Sequence, residues 1–338
     1  MKILLISPTQ SGIGGIAQHV QGLTKFLQNE GHQVEIMSSE NTFTIPIKGL
    51  KNPSFMISSF FKSKSKKIQD IVHAHNIPAA LAMKNSSGKK ILSLHGVFSQ
   101  QIDQLHGKTI GFVSKKYEQD ALTWADAITV VSKEAFDYYT SLGYNVFQVP
   151  NAINLNHLPQ DEDRRFKKQI IFVGRISKEK GIKTILDLSK KLSNDINLLV
   201  VGSGPESEKI KKLSETRNNV HYLGYQTHEN SIKLIRGSDM LIQPSLHEGI
   251  STTILESMAC KIPVITTNIG GNKELIKHKK TGILIKPNDS EELLSSIDML
   301  FLDTKLKEKI IYESFILVQT YDWQKIGQRY LNLYTSLL

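Results

Sequence analysis

Short runs of β-branched and aliphatic residues alternate with helical segments along the whole 338-residue chain. Many of these runs are continuously apolar, which is typical of parallel strands buried on both faces of a sheet. Segments between them, such as 16–29, 182–192 and 207–215, predict helices. Repeated β-α-β units of this kind predict an α/β fold of doubly wound parallel sheets. The predicted strands are 2–7, 33–38, 71–75, 90–94, 127–132, 146–149, 169–173, 197–201, 220–223, 240–243, 263–267 and 282–285.

A polar, charged stretch at 154–168 divides these strands into two groups of six. Domain boundaries usually fall in segments of this composition. The sequence therefore predicts two Rossmann-like domains, at 1–160 and 161–320, facing each other across a cleft. Apolar and aromatic residues at helical spacing predict a terminal helix within 321–338. Ligands of such sheets bind beyond the carboxyl ends of the strands, so the residues that follow strands are the candidates for a site.

The composition excludes several other classes of protein. Apolar residues make up 40% and charged residues 22% of the chain, close to the globular average. Cys260 is the single cysteine, so no internal disulfide is expected and a reducing compartment is favoured. No apolar run is long enough to span a membrane, and the apolar stretch before Pro8 is too short for a signal peptide. A cytoplasmic protein is expected.

The chain has an excess of basic residues, with 42 Lys and Arg against 32 Asp and Glu and a net charge of +10. The excess is shared by both halves and no nucleic-acid recognition motif is present. A non-catalytic protein that binds nucleic acid is therefore disfavoured, and its salt-dependent affinity for DNA or RNA would be the distinguishing property.

The most basic local segment is 41–69, which contains six lysines and no acidic residue. Phenylalanines and isoleucines lie among the lysines, so the segment is cationic and partly amphipathic. Such a segment can lie on an anionic membrane, which would place the protein peripherally on the inner membrane face. The alternative is a solvated loop and helix face. The lysines are Lys48, Lys51, Lys62, Lys64, Lys66 and Lys67.

Glycine-rich loops follow three of the predicted strands. Glycines let the backbone approach a ligand, and a helix that starts there favours phosphate, although an ordinary tight turn has the same composition. The GKT of Gly107–Thr109 is not a phosphate loop, because Ile102 stands where that motif requires glycine. The candidate ligand-binding glycines are Gly14, Gly15, Gly174, Gly202 and Gly204.

Charged side chains follow the strands of the second predicted domain. Arg175 and Lys180 come after the first of them, and two cations there suit a diphosphate, unless they are merely surface charges. Glu248 lies in a loop before a predicted helix, where a carboxylate can accept hydroxyl hydrogen bonds. Glu256 follows in that helix, and its capping-box spacing from Thr253 allows a purely structural role.

His95 is the best placed of the histidines, because it follows an apolar strand and precedes Gly96. A lone histidine is nevertheless more often structural. His73 and His75 lie on one face of a predicted strand, but no third ligand is near them in sequence, so no metal site is expected. Cys260 lies in an apolar helix and is expected to pack in the core.

Together these motifs resemble the retaining glycosyltransferases of family 4, which have the GT-B fold. The resemblance covers nearly the whole chain and is carried by the set of motifs in this order. Glu248 and Glu256 match the E-x7-E signature of that family. The matching elements are Gly14-Gly15, His95, Val131–Lys133, Val149–Asn151, Val173–Arg175, Lys180-Gly181, Val201–Pro205, Glu248 to Glu256, Ile262–Ile265, Gly270-Gly271, Glu274 and Thr281-Gly282.

The resemblance implies transfer of a hexosyl unit from a nucleotide-diphosphate sugar to a hydroxyl of a glycan or a lipid-linked acceptor. It makes 1–160 the acceptor-side domain and 161–320 the donor domain, with the terminal helix packed back on the first. Arg175 and Lys180 would neutralise the departing diphosphate, so neither a metal nor another cofactor is required. Glu248 and His95 would contact the donor sugar.

The remaining donor contacts implied by the resemblance come from backbone and ribose-binding groups. Glu256 would hold the ribose hydroxyls, and the backbone of the loop after Glu248 would line the sugar and diphosphate. The glycines named above would approach the phosphates. The loop residues are Gly249, Ile250, Ser251, Thr252 and Thr253.

Two departures from the family pattern concern the acceptor side. Gly96 follows His95 where relatives often have Asp, and Ala152 and Asn154 replace the common Gly and Asp after Pro-Asn. The main alternative is a nucleotide-sugar epimerase or hydrolase on the same fold, which fold alone does not distinguish from a transferase. Such an enzyme would consume donor without acceptor.

Overall fold

The computed structural model contains two units. Hydrogen bonds between the first and last residues of the second unit mark its boundary. Residues 1–10, 15–47, 49–66, 68–96 and 108–338 are described, without the side chains of 108–114. One unit comprises Met1–Ala152 with Trp323–Leu338, and the other comprises Ile153–Asp322. The division lies before residue 160 because Ile153 N–H donates to the Tyr321 carbonyl at 3.0 Å and Leu155 N–H donates to Asp322 at 3.2 Å.

The first unit is built on a six-stranded sheet in the described part of the chain. Its strands are β1 (Lys2–Ser7), β2 (Gln33–Ser38), β3 (Ile71–His75), β4 (Lys89–Leu94), β5 (Ala127–Val130) and β6 (Val146–Gln148). They lie in the order β2-β1-β3-β4-β5-β6, and every pair is parallel. Its helices are α1 (Gly15–Asn29), α2 (Lys51–Ser63), α3 (Ala80–Asn85), α4 (Lys108–Thr123), α5 (Lys133–Ser141) and α13 (Trp323–Leu337).

Both faces of this sheet are covered by apolar side chains. Leu4 and Leu5 are adjacent in β1, point to opposite faces and are both fully buried. The terminal helix α13 covers one face and packs on α1. The fit is close, because a Cβ at Gly22 would lie 2.2 Å from the indole nitrogen of Trp323. A larger residue at that position would push the two helices apart.

The second unit repeats the architecture with a different strand order. Its strands are β7 (Gln169–Val173), β8 (Asn197–Val201), β9 (Val220–Gly224), β10 (Met240–Gln243), β11 (Val264–Thr267) and β12 (Ile283–Ile285). They are parallel in the order β12-β11-β10-β7-β8-β9. Its helices are α6 (Ile182–Ser189), α7 (Ser207–Thr216), α8 (His228–Arg236), α9 (Thr252–Ala259), α10 (Asn272–Leu275), α11 (Ser290–Leu302) and α12 (Thr304–Val318).

The predicted α/β fold of two doubly wound parallel sheets is confirmed. The strand predictions differ from the structure only at their ends. The fifth strand ends at Val130 rather than at 132, because Ser132 caps α5 by accepting a hydrogen bond from Ala135 N–H. The carboxyl ends of β7, β8 and β10 lie at one edge of the second sheet. The loops that follow them carry most of the predicted site residues.

Candidate active site

Glu248 and Lys180 form an ion pair at the carboxyl edge of the second sheet. Lys180 follows β7 and Glu248 follows β10, and these strands are neighbours. The Lys180 Nζ lies 2.5 Å from the Glu248 Oε1, and the two side chains are 23% and 10% exposed. Lys180 ends a short 3-10 turn, and Gly181 after it has φ of 75°, with no room for a Cβ against the Pro244 carbonyl at 1.8 Å. This glycine lets the two loops meet.

Two further donors reach the same carboxylate oxygen. Gln243 Nε2 and Ser245 Oγ each donate to Glu248 Oε1 at 2.9 Å. No described residue donates a hydrogen bond to its Oε2 in the structure. Oε1 is therefore saturated, whereas Oε2 remains able to accept hydrogen bonds from a ligand. The charge of Glu248 is stabilised by three donors without being buried completely.

Neither Gln243 nor Ser245 was among the site residues predicted from the sequence. Both are buried, and neither belongs to a motif with a recognised chemistry. The sequence did contain one signal for Gln243, which is a glutamine at the end of the apolar strand β10. An amide buried there needs polar partners, and the neighbouring loop can supply them. Its contact with Glu248 depends on how the loop folds back.

Arg175 lies at the same edge but is oriented differently. Its side chain is 58% exposed, and its Nη1 lies 3.9 Å from Glu179 Oε1. Glu179 in turn accepts, through its backbone carbonyl, the N–H of Leu246 at 2.8 Å, which links the loops after β7 and β10. Among the residues that the structure describes, Arg175 has only this long ion pair, so it is a solvent-accessible cation available to an anionic ligand.

The glycine loops after β7 and β8 pack directly on each other. Gly202 has φ of 131°, and a Cβ there would lie 1.9 Å from the Gly174 carbonyl. A Cβ at Gly204 would lie 2.3 Å from the Ile176 carbonyl. These glycines are explained by backbone packing, so the structure gives them a structural role, and their predicted contact with phosphate stays a prediction.

The helix α9 carries the second predicted acid. Ser251 is its N-cap and accepts from Ile254 N–H at 3.4 Å, so the interpretation of Thr253 and Glu256 as a capping box is wrong. Thr252 and Thr253 are instead the first two residues of the helix. The loop residues Gly249 and Ile250 precede Ser251, so the predicted backbone contacts lie at a helix N-terminus.

Glu256 is 7% exposed and its Oε1 lies 2.8 Å from the Nε2 of His228, at the start of α8. The hydrogen bond to the Glu256 carboxylate raises the pKa of His228 above its ordinary value, although partial burial opposes the shift. His228 was not predicted from the sequence, since it is distant from Glu256 along the chain. The pair gives Glu256 a partly exposed, titratable neighbour.

His95 belongs to the first unit, where it lies in a cluster of histidines. Its Nε2 lies 3.5 Å from the Nδ1 of His75, and its ring contacts that of His19 edge-on, with centroids 5.0 Å apart. Burial lowers the pKa of His95 to about 4, against the opposing effect of a hydrogen bond with Asn151. His95 is therefore a neutral imidazole at pH 7.

Within the described part of the chain, His73 of β3 is held by two side-chain hydrogen bonds. His73 Nδ1 lies 2.7 Å from the hydroxyl of Tyr334, and its Nε2 lies 2.6 Å from Ser93 Oγ. Among the residues that the structure describes, no three His, Cys, Asp or Glu side chains are grouped to hold a metal ion. Cys260 is buried, as expected for a core residue.

The predicted basic segment is only partly a free cationic surface. Lys62 donates to the Asn41 carbonyl and Lys66 pairs with Glu35, whereas Lys51 and Lys64 are exposed. Lys48 and Lys67, like Gly14, lie outside the described residues, while Gly15 begins α1.

The same segment also exposes large apolar side chains. We call this group the α2 surface: Phe43, Ile47, Leu50, Ile57, Phe61 and Ile68, all exposed. Isolated exposed apolar residues are ordinary, whereas six of them in one basic segment make that segment a candidate contact surface. In the described part of the chain, no helix has the length and hydropathy needed to cross a bilayer.

Two parallel doubly wound sheets, with charged loops at the carboxyl edge of the second, are the architecture of the GT-B fold. The family profile for "Glycosyl transferases group 1" matches residues 158–315, and that for "Glycosyltransferase Family 4" matches residues 13–157. The chain therefore belongs to the group 1, family 4 glycosyltransferases. The predicted family is confirmed, and nothing in these matches supports an epimerase or a hydrolase.

Individual relatives are distant in sequence but similar over the whole chain. The N,N'-diacetylbacillosaminyl-diphospho-undecaprenol alpha-1,3-N-acetylgalactosaminyltransferase of Campylobacter jejuni is 23% identical, over 93% of this chain and 89% of that protein. The sucrose-phosphate synthase of Thermosynechococcus elongatus has a TM-score of 0.83 at 20% identity, covering 100% of this chain and 99% of that one. Anabaena HepE in complex with UDP-glucose has a TM-score of 0.76 at 18% identity and full coverage of both chains. At such identities the solved structures establish the fold alone.

Proposed function

We propose that the enzyme transfers a hexosyl unit, with retention of configuration, from a nucleotide-diphosphate sugar to an acceptor hydroxyl. The observation that carries the proposal is the ion pair of Lys180 and Glu248 beside the exposed Arg175. A cation for the diphosphate and a carboxylate for sugar hydroxyls then lie at one sheet edge. Uridine is the base to test first, because HepE binds UDP-glucose.

In this proposal the acidic residues bind hydroxyl groups and the basic residues bind the diphosphate. Glu248 accepts sugar hydroxyl hydrogen bonds at its Oε2, and Glu256 accepts those of the ribose. Arg175 and Lys180 stabilise the negative charge that develops on the diphosphate as the bond from the anomeric carbon to phosphate oxygen breaks. Protein cations supply this stabilisation, so the proposed reaction needs no metal and no resident cofactor. Chelation by EDTA is expected to leave turnover unchanged.

The acceptor side of the reaction follows from retention. The acceptor oxygen bonds to the anomeric carbon on the face that the diphosphate leaves, and a diphosphate oxygen takes the hydroxyl proton. No protein carboxylate acts as a base in this scheme. The neutral imidazole of His95 is proposed to contact the sugar as positive charge develops on it.

The anomeric configuration of the product tests the proposal. An α-linked UDP-sugar is incubated with acceptor, and the product is analysed by proton NMR before it can equilibrate. The expected product is α-linked. A β-linked product would contradict the retaining mechanism, and donor consumption that does not depend on acceptor would favour hydrolysis or epimerisation.

We propose a lipid-linked acceptor, because one relative and the surface of the first unit both favour this class of acceptor. The Campylobacter jejuni relative is named for a diphospho-undecaprenol substrate. The α2 surface combines exposed apolar side chains with the exposed cations Lys51 and Lys64, a composition that suits the interface of an anionic bilayer. Peripheral binding at the inner membrane face would bring such an acceptor to the enzyme.

A further inference from the structure

Gln243 occupies an unusual position for a glutamine. It is the last residue of β10, in the interior of the second sheet, and only 3% of it is exposed. The three residues before it in β10 are apolar and fully buried. A buried amide must be hydrogen-bonded, so the side chain is there for its partners rather than for its apolar surface.

The partners of Gln243 connect the two parts of the candidate site. Its Nε2 donates to Glu248 Oε1 at 2.9 Å and to Ser251 Oγ at 3.1 Å. Ser251 is the N-cap of α9, the helix that carries Glu256. One side chain thus spans from the carboxylate proposed to hold the sugar to the helix proposed to hold the ribose.

The three donors on Glu248 Oε1 differ in how firmly they are fixed. Lys180 has a long side chain with four rotatable bonds, is 23% exposed and is proposed to stabilise the diphosphate. Ser245 donates through a hydroxyl that can rotate. The amide of Gln243 is planar, buried and anchored at its other contact by Ser251. It also carries no charge, so it orients the carboxylate without neutralising it.

We propose that Gln243 is a positioning residue, which holds the Glu248 carboxylate with its Oε2 toward the donor sugar when Lys180 moves to the diphosphate. The inference rests on the proposed function of Glu248. It predicts that the consequences of changing Gln243 depend on the ionisation of Glu248 and not only on the stability of the loop.

The test compares Gln243→Glu and Gln243→Met with a matched control, Gln169→Glu. Gln169 is also buried in this sheet, but it begins β7, at the opposite edge from the site. Rates are measured from pH 5 to pH 9 with UDP-, GDP- and ADP-glucose, using the donor that the wild type consumes fastest. Melting temperatures show whether each variant folds.

Two carboxyl groups that share a hydrogen bond do not both ionise easily, so one of them keeps its proton to higher pH. The rate profile of Gln243→Glu is therefore expected to change shape, with at least one limb displaced by about one pH unit or more, while the profile of Gln169→Glu keeps the wild-type shape. Gln243→Met, which lacks the donor, is expected to lose about tenfold in kcat/KM. A rate lowered by one factor at every pH in Gln243→Glu would overturn the inference.

Glu248→Gln separates this inference from the proposed function. If Glu248→Gln turns over like the wild type, the proposed role of Glu248 is wrong, and the inference about Gln243 falls with it. If Glu248→Gln is inactive but Gln243→Glu keeps the wild-type pH profile, Glu248 retains its role and only the positioning by Gln243 is wrong.

Discussion

At the scale of single residues, the proposed function depends on charge, and Arg175 is the simplest case. Arg175→Ala removes an exposed cation whose ion pair with Glu179 is long, at 3.9 Å, so the fold is expected to survive. Loss of one group that stabilises developing charge commonly lowers kcat by about 10²–10³-fold. The prediction is a loss of this size, measured as initial rates of nucleotide release.

Lys178→Ala is the matched control for Arg175→Ala. Lys178 is exposed and lies on the 3-10 turn between Arg175 and Lys180, but it has no assigned contact with the site. It is expected to turn over within about twofold of the wild type. Equal rates in both variants would show that net charge at this edge, rather than Arg175 itself, is what the rate depends on, and the assignment of Arg175 would be wrong.

At the scale of one element, β3 brings two buried histidines into the core of the first unit. Burial, aided by the nearby His95, lowers the pKa of His73 to about 3. In the unfolded chain the same group has a pKa near 6.5. Between these two values the unfolded state binds the proton and the folded state does not. The contribution of His73 to stability is therefore intact above about pH 6.5 and decreases as the pH falls toward 3.

The expected size of this effect is about 2 kcal/mol in the free energy of unfolding between pH 7 and pH 5. Urea unfolding of the wild type and of His73→Gln measures it, because glutamine does not titrate. The variant is expected to be less stable at pH 7 but to lose about 2 kcal/mol less than the wild type on acidification. His278→Gln, at an exposed histidine of the second unit, is the control. Identical pH dependence in wild type and His73→Gln would contradict the prediction.

Helices and strands were more predictable from the sequence than the contacts between their side chains. Continuous apolar runs such as 197–201 specify buried parallel strands locally, so the residues of β8 are the predicted ones. The E-x7-E spacing likewise placed Glu248 before α9 and Glu256 within it. The partners of these acids were not predictable, because His228 and Lys180 approach them from other strands and loops. Their pairing depends on the order of strands in the sheet, which periodicity does not encode.

At the scale of the whole molecule, the chain passes from the first unit to the second and back. The sequence indicated the polar link but placed it near residue 160, because composition changes there. The structure places the division at Ile153, where the chain pairs with its returning end at Asp322. That backbone bridge joins residues far apart in sequence, so no local signal could have located it.

At the same scale, the α2 surface is proposed to attach the whole molecule to a membrane. In the first unit it combines six exposed apolar side chains with exposed lysines, so its attachment to a bilayer should depend on both. Each lysine near an anionic surface contributes about 1 kcal/mol, so reversing Lys51 and Lys64 to Glu is expected to weaken vesicle binding at least tenfold. Ile57→Ser with Phe61→Ser is expected to do the same by removing apolar contact.

Sedimentation with vesicles of phosphatidylglycerol and phosphatidylcholine measures both effects. Tyr312→Ser with Ile316→Ser is the matched control, since these exposed apolar residues lie on α12 in the second unit. Binding should be weaker to pure phosphatidylcholine and should decrease with salt, because charge supplies part of the attraction. Loss of binding in the control pair but not in the α2 variants would move the membrane contact to the second unit. Wild-type binding in all variants would show that neither surface attaches the enzyme to lipid.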